Sequence, residues 1–306
     1  MPGPPRFSPN LVHDVEVLWQ YPFMRHALLA GTAVAVMSAC VGWFVVLRHQ
    51  AYAAHSLAMV AFPGATGAAL LGLPAVPGYL LATAVGATVM ALLEGRSRQG
   101  LGRFRSESAV IGSVQAVALG LGLLFASLYG GFLADVPSFL FGSFLGVSAG
   151  ETTVVAVVSL ATLTLLALGG RPLLFATVDP GVAAAAGVPV GGLSAAFLAL
   201  VGLAVAGASQ FTGVLLVFAL LVTPAATAQV VTARPGRSLA TAVILGVAVV
   251  WAGLATAFFA DGPVGFWFTT LGFGAYLVAR AGRAAAGTAR RRRATAERAR
   301  RRLGRW

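Results

Sequence analysis

The chain has 306 residues, of which 58% are hydrophobic and 10% charged, with a mean hydropathy of +0.87. A soluble domain has nearer a quarter of its residues charged, so this composition excludes an ordinary soluble enzyme, and its apolar richness equally excludes a disordered chain. The net charge of +12 is carried by arginine alone, without one lysine, and 11 of the 21 arginines fall in residues 280–306.

A nearly uncharged apolar body with a basic tail reads as an integral membrane protein. A helix crosses the hydrocarbon core with about 20 apolar residues. Runs of that length are Ala27–Leu47, Tyr52–Leu73, Val76–Leu93, Ser108–Leu128, Thr152–Gly169, Val190–Ala208, Phe211–Val231, Leu239–Ala260 and Pro263–Ala279. They predict an all-α integral membrane protein of about nine transmembrane helices. A further stretch, Val136–Val147, is too short to cross and reads as a re-entrant or interfacial helix.

Arginines set the direction, because cytoplasmic loops collect them. Arg48, then Arg96, Arg98, Arg103 and Arg105, then Arg171, then Arg234 and Arg237, and finally the tail fall in alternate loops. The opposite loops hold Asp135, Glu151 and Asp261 and no arginine. The expected arrangement is an extracytoplasmic segment 1–25, a transmembrane domain 26–280 and an arginine-rich cytoplasmic tail 281–306. The tail reads as an anchor beside anionic lipid headgroups, with no nucleic acid expected. No secretory signal peptide is evident ahead of the first span.

Glycine, alanine, serine and threonine are abundant, which permits close helix contact in a bilayer. Pro63–Gly64, Gly191–Gly192 and Pro224 interrupt three spans, as pathway-lining breaks or as ordinary kinks. A phosphate-binding loop of the Walker type needs a lysine. Without one, the chain is no conventional P-loop ATPase, and any ATP must be used by another subunit. The acids sit at span ends or in loops, and His55 is the ionisable residue best placed near a span interior, so catalysis is not expected. The lone Cys40 excludes an intramolecular disulfide.

Two segments carry a local structural message. Asp179 suits a helix N-cap, Pro180 the first helical position, and Gly187 a left-handed cap, so Gly181–Ala186 makes one or two short turns. His55 and Met59 are four residues apart and share one helix face. Imidazole and thioether are both metal ligands, although such a pair also serves packing plus one hydrogen bond. Cys40, on the neighbouring first span, reads either as a small buried apolar residue or as an added thiolate.

Tyr21–Arg48, opening Tyr-Pro-Phe-Met and closing Val-Leu-Arg, and Leu173–Arg234, with Asp-Pro…Gly-Val-Pro and Gly213–Ala228 (GVLLVFALLVTPAATA), resemble the membrane subunit of the zinc/manganese-type ABC importer family. Ile111–Gly146, with Phe141, Gly142 and Ser143, resembles its middle more loosely. The resemblance covers about residues 15–280. It implies a homodimeric permease with a type II importer-like fold, two ABC ATP-binding subunits beneath it, and an extracytoplasmic binding protein that delivers a metal ion. It also implies that Asp179, Pro180, Ala183 and Gly187 belong to the coupling helix, although the family's usual acid is absent at Gly181.

The family usually has Asp at the position of His55 and His at that of Met59, ahead of Pro63–Gly64. Zinc and manganese prefer nitrogen and oxygen donors, so the exchange points to a softer or differently held ion, or to a chelate. The resemblance still makes import of a divalent metal such as zinc or manganese the expected function, although the lost carboxylate argues against a manganese path. A non-metal solute or chelate on the same scaffold is the alternative. From another class, a membrane scaffold recruiting partners through its basic tail also fits.

Overall fold

The computed structural model describes residues 11–97, 103–129, 132–142, 144, 146–260 and 262–303. Asp261 lies outside the described residues, as do the side chains of Asp135, of the arginines between 96 and 105 and of those from 290 onward. The described regular structure is entirely helical: α1 (Leu11–Gln20), α2 (Pro22–Leu47), α3 (Ala51–Leu70), α4 (Ala75–Ser97), α5 (Arg103–Tyr129), α6 (Phe132–Phe141), α7 (Ala149–Val178), α8 (Pro180–Ala185), α9 (Val190–Val231), α10 (Pro235–Ala260) and α11 (Val264–Leu303). Seven of them (α2, α3, α4, α5, α7, α9 and α10) are long and apolar enough to cross a membrane.

The most deeply buried of these is α2, against which α7, α9 and α10 pack. Along it, α9 runs out and back. Phe197, early in α9, meets Phe44 near the end of α2 with ring centroids 6.3 Å apart. Phe211 then lies against Gly31, near the start of α2. The return brings Leu221 onto Gly42, and Gln229 Nε2 donates to the Trp43 carbonyl at 2.9 Å. The reversal falls at Gly213, whose φ of 69° and ψ of 162° belong to a region essentially reserved for glycine. A straight helix of 42 residues would be about 63 Å long, twice the hydrocarbon thickness, whereas the folded form has two arms of membrane length.

Opposite-running α10 sets Ser238 at Trp43, Gly246 at Ala35 and Val250 at Gly31. The first half of α11 follows the second arm of α9, pairing Gly265 with Leu216, Gly272 with Thr223, and Arg283 Nη1 with the Val230 carbonyl at 2.8 Å. It continues without a break to Leu303, through most of the arginine-rich segment 281–306. On the other flank, α4 packs antiparallel to α3 through Gly64 and Gly78, where a Cβ on either glycine would fall on the other's carbonyl oxygen. Beside α3, α5 runs parallel, with Gly112 near Tyr52 and Gly122 beneath Phe62.

Pro63 and Pro224 do not interrupt their spans, and Gly191–Gly192 lies in the first turn of α9. Proline removes one helical hydrogen bond, which bends a helix held by its neighbours without ending it. The expected short element is present as α6, which starts before Val136 and ends at Phe141. Gly142 follows with φ +79°, lodged against the α9 reversal. The N-terminal segment contains α1, whose Trp19 ring lies 5.9 Å beneath the Arg25 guanidinium.

Candidate functional site

The segment between α7 and α9 folds as its capping chemistry dictates. The Asp179 carboxylate accepts from the Val182 amide at 2.9 Å, with Pro180 opening the helix. At the far end, Val188 N–H donates to the Ala183 carbonyl and Gly187 N–H to the Ala184 carbonyl, both at 3.0 Å, with Gly187 at φ +85°. That pair of bonds is a Schellman closure, so this six-residue helix is tied at both ends. Ala183 is fully buried at its root, while Val178 and Val182 stand 74% and 54% exposed. The result is a rigid apolar-faced knob.

At the same end of the bundle lies a set of long-range polar ties. Arg48, closing α2, donates through Nη1 to Thr177 Oγ1 at 2.9 Å and through Nη2 to Ser194 Oγ at 2.7 Å. Its guanidinium lies over the Phe197 ring at 5.3 Å, and its Nε reaches Gln50 Oε1 at 3.3 Å. Trp43 Nε1 donates to Ser238 Oγ at 2.9 Å, joining α2 to α10. Read from sequence, Arg48 served to orient the chain and to close the Val-Leu-Arg motif. Its role as a cross-brace joins residues 129 and 146 positions apart, for which no local pattern exists.

His55 is the fifth residue of α3, about 6 Å from the helix start, much as its place in the predicted span Tyr52–Leu73 implied. Its ring stands 4.8 Å from that of Phe218 on the second arm of α9, and its buried Nδ1 has no hydrogen-bond partner. Met59, half-buried, follows one turn later on the same face. Pro63 has no N–H to offer the Met59 carbonyl, so that oxygen lacks its usual helical donor.

Gln115 is the neighbour that sequence reasoning missed. Tyr52, one turn before His55, donates to Gln115 Oε1 at 3.5 Å, and Gln115 Nε2 is buried without a partner. An amide inside an otherwise apolar span was the available signal, since polar groups there seek partners on other helices. Cys40 is turned elsewhere, onto a cleft of about 420 Å³ between α2, α7 and α10 to which neither His55 nor Met59 contributes. Among the described residues, no group of three or more His, Cys, Asp or Glu side chains is placed to hold a metal ion.

The family described as the ABC 3 transport family matches residues 20–282. The manganese transport system membrane protein MntC of Halalkalibacterium halodurans is 30% identical over 245 residues, covering 80% of this chain and 82% of that protein. The chelated iron transport system membrane protein YfeC of Yersinia pestis is 29% identical over 253 residues, covering 83% and 84%. Among solved structures, PsaBC from Streptococcus pneumoniae in complex with Fab superposes with a TM-score of 0.77, covering 88% of this chain and 95% of that one. At 24% identity that likeness speaks for the fold. With the family pattern spanning nearly all of the helical bundle, the chain belongs to the ABC 3 transport family, as a multi-pass membrane permease.

Proposed function

We propose that this permease crosses the membrane nine times, with its N-terminus outside and C-terminus inside, as half of a homodimer of type II importer-like fold. The two arms of α9 and the first half of α11, added to the other long helices, supply the nine crossings. Separate ATP-binding subunits drive it from the cytoplasm, and an extracytoplasmic binding protein delivers a transition-metal ion such as manganese or zinc. The observation that carries this reading is α8. It is closed at both ends, rooted by Ala183, and it presents Val182, beside the exposed Val178 that ends α7, at the bundle end where Arg48 and Arg283 lie. ATP-driven closure of the partner subunits pushes this knob and rocks the dimer between outward and inward openings around His55 and Met59.

Reconstitution with the ATP-binding subunits and binding protein in vesicles tests the reading. ATP-dependent accumulation of manganese(II) or zinc(II) is expected. Failure of any ATPase subunit to copurify, together with uptake that survives disruption of Asp179–Gly187, overturns it.

A metal chelate as cargo is the second reading. His55 and Met59 replace a carboxylate and an imidazole, which weakens the case for stripping an ion of its hydration. Uptake of a supplied iron chelate without uptake of free manganese(II) or zinc(II) would favour it.

A further inference from the structure

We propose that Arg48 is a positioning residue that carries movement of α8 to the first turn of α3, just ahead of His55. This rests on the reading of α8 as the contact for the ATP-binding subunits. The six residues of α8 lie between the end of α7 and the start of α9, and Arg48 grips both flanks. One guanidinium nitrogen holds Thr177, two residues before Asp179. Another holds Ser194, in the first turns of α9.

The Thr177 hydroxyl is already oriented, because its own proton goes to the Leu173 carbonyl at 2.6 Å, leaving a lone pair for Arg48. A planar fork with several fixed donors suits two hydroxyls on two helices, which a single ammonium cannot match. On its other side, Arg48 reaches Gln50, the N-cap residue of α3, whose carbonyl accepts from the Ala54 amide at 3.0 Å. Between them, His49 holds a left-handed φ of 56°, so the connection is a tight turn with little slack. A shift of α8 displaces its two flanks, the flanks displace the guanidinium, and the guanidinium displaces the turn that starts α3.

The test uses the assembled complex with its ATP-binding subunits. Cys40→Ser provides a cysteine-free background, into which one cysteine is placed at Val182 or at Ala51. The labelling rate of each is compared without nucleotide and with the ATPase trapped by vanadate. With Arg48 present, both sites change their reactivity on trapping. In Arg48→Lys, the change at Val182 persists and the change at Ala51 is lost. The double variant Thr177→Val, Ser194→Ala keeps the charge, removes both acceptors, and shows the same loss. It decides the matter if the lysine variant fails to assemble. A change at Ala51 that survives the substitutions overturns the strut while leaving the α8 reading intact. No change at Val182 with Arg48 present overturns the α8 reading itself, and the strut falls with it.

Discussion

Gly142 and Gly213 meet backbone to backbone, both at positive φ, where the chain after α6 lies against the reversal of α9. A Cβ on Gly213 would come within 2.5 Å of the Leu140 carbonyl oxygen, and one on Gly142 within 2.6 Å of the Thr212 carbonyl carbon. Gly213→Ala therefore combines a disallowed backbone conformation with a backbone clash and should destabilise by about 1–3 kcal/mol or more. Gly187→Ala is the control, since it shares the positive φ but its Cβ meets nothing within 4 Å. Thermal midpoints in detergent should fall markedly for the first and only slightly for the second. Equal shifts would show that backbone strain alone matters.

At α8, Asp179→Ala removes a cap worth about 0.5–2 kcal/mol. The cost is confined to six residues, so expression and the thermal midpoint should hold while ATP-driven uptake drops. Val182→Arg leaves Ala183 seated but puts charge on the exposed apolar face, and should abolish copurification of the ATP-binding subunit. Copurification at the level of the unmodified chain would remove the proposed contact.

His55→Ala with Met59→Ala should abolish metal uptake without altering assembly with the ATPase. Replacing them by the family's usual donors, His55→Asp with Met59→His, should shift preference toward manganese(II), because carboxylate and imidazole are harder donors than thioether. Competition uptake of manganese(II) against zinc(II) measures the shift. Unchanged uptake in the alanine pair would exclude this face of α3 from the path.

The sequence-derived boundaries were good where hydrocarbon thickness or capping chemistry dictates them. The α8 caps and most of the long spans are of that kind, but α7 runs on past Gly169 to Val178 and takes in Arg171, which was expected in a loop. The turn in α9 was displaced by a few residues, because Ser209 and Gln210 look like loop residues. In the fold they stay helical, and Ser209 satisfies its hydroxyl on the Val205 carbonyl at 2.7 Å. The reversal waits for Gly213, the residue that can take its backbone angles. Pro63 and Pro224 lie inside continuous helices, in line with the kink reading and against the break. The ties from Arg48 to Thr177 and Ser194, from Gln229 to Trp43 and from Tyr52 to Gln115 join residues with no shared local pattern, so the cross-braced end of the bundle and the polar partner of Tyr52 emerge only from the fold.

The tail continues α11, and each arginine near an anionic surface contributes about 1 kcal/mol, falling off with salt. In vesicles of anionic lipid, Arg290–Arg293 should resist trypsin, and raising the salt should expose them. Cleavage at the same rate in neutral and anionic vesicles would show that lipid charge does not hold the tail.

The fold-back of α9 bears on how the chain enters a bilayer. Its two arms turn at one glycine, so there is almost no loop to be translocated between them and no halting point at which one arm is inserted and the other is not. In the proposed nine-crossing topology they would enter as a paired hairpin, with Gln210 and Thr212 near the leading tip. A lesion at Gly213 would therefore be felt during biogenesis, as loss of membrane-inserted protein, before any measurement of transport could register it.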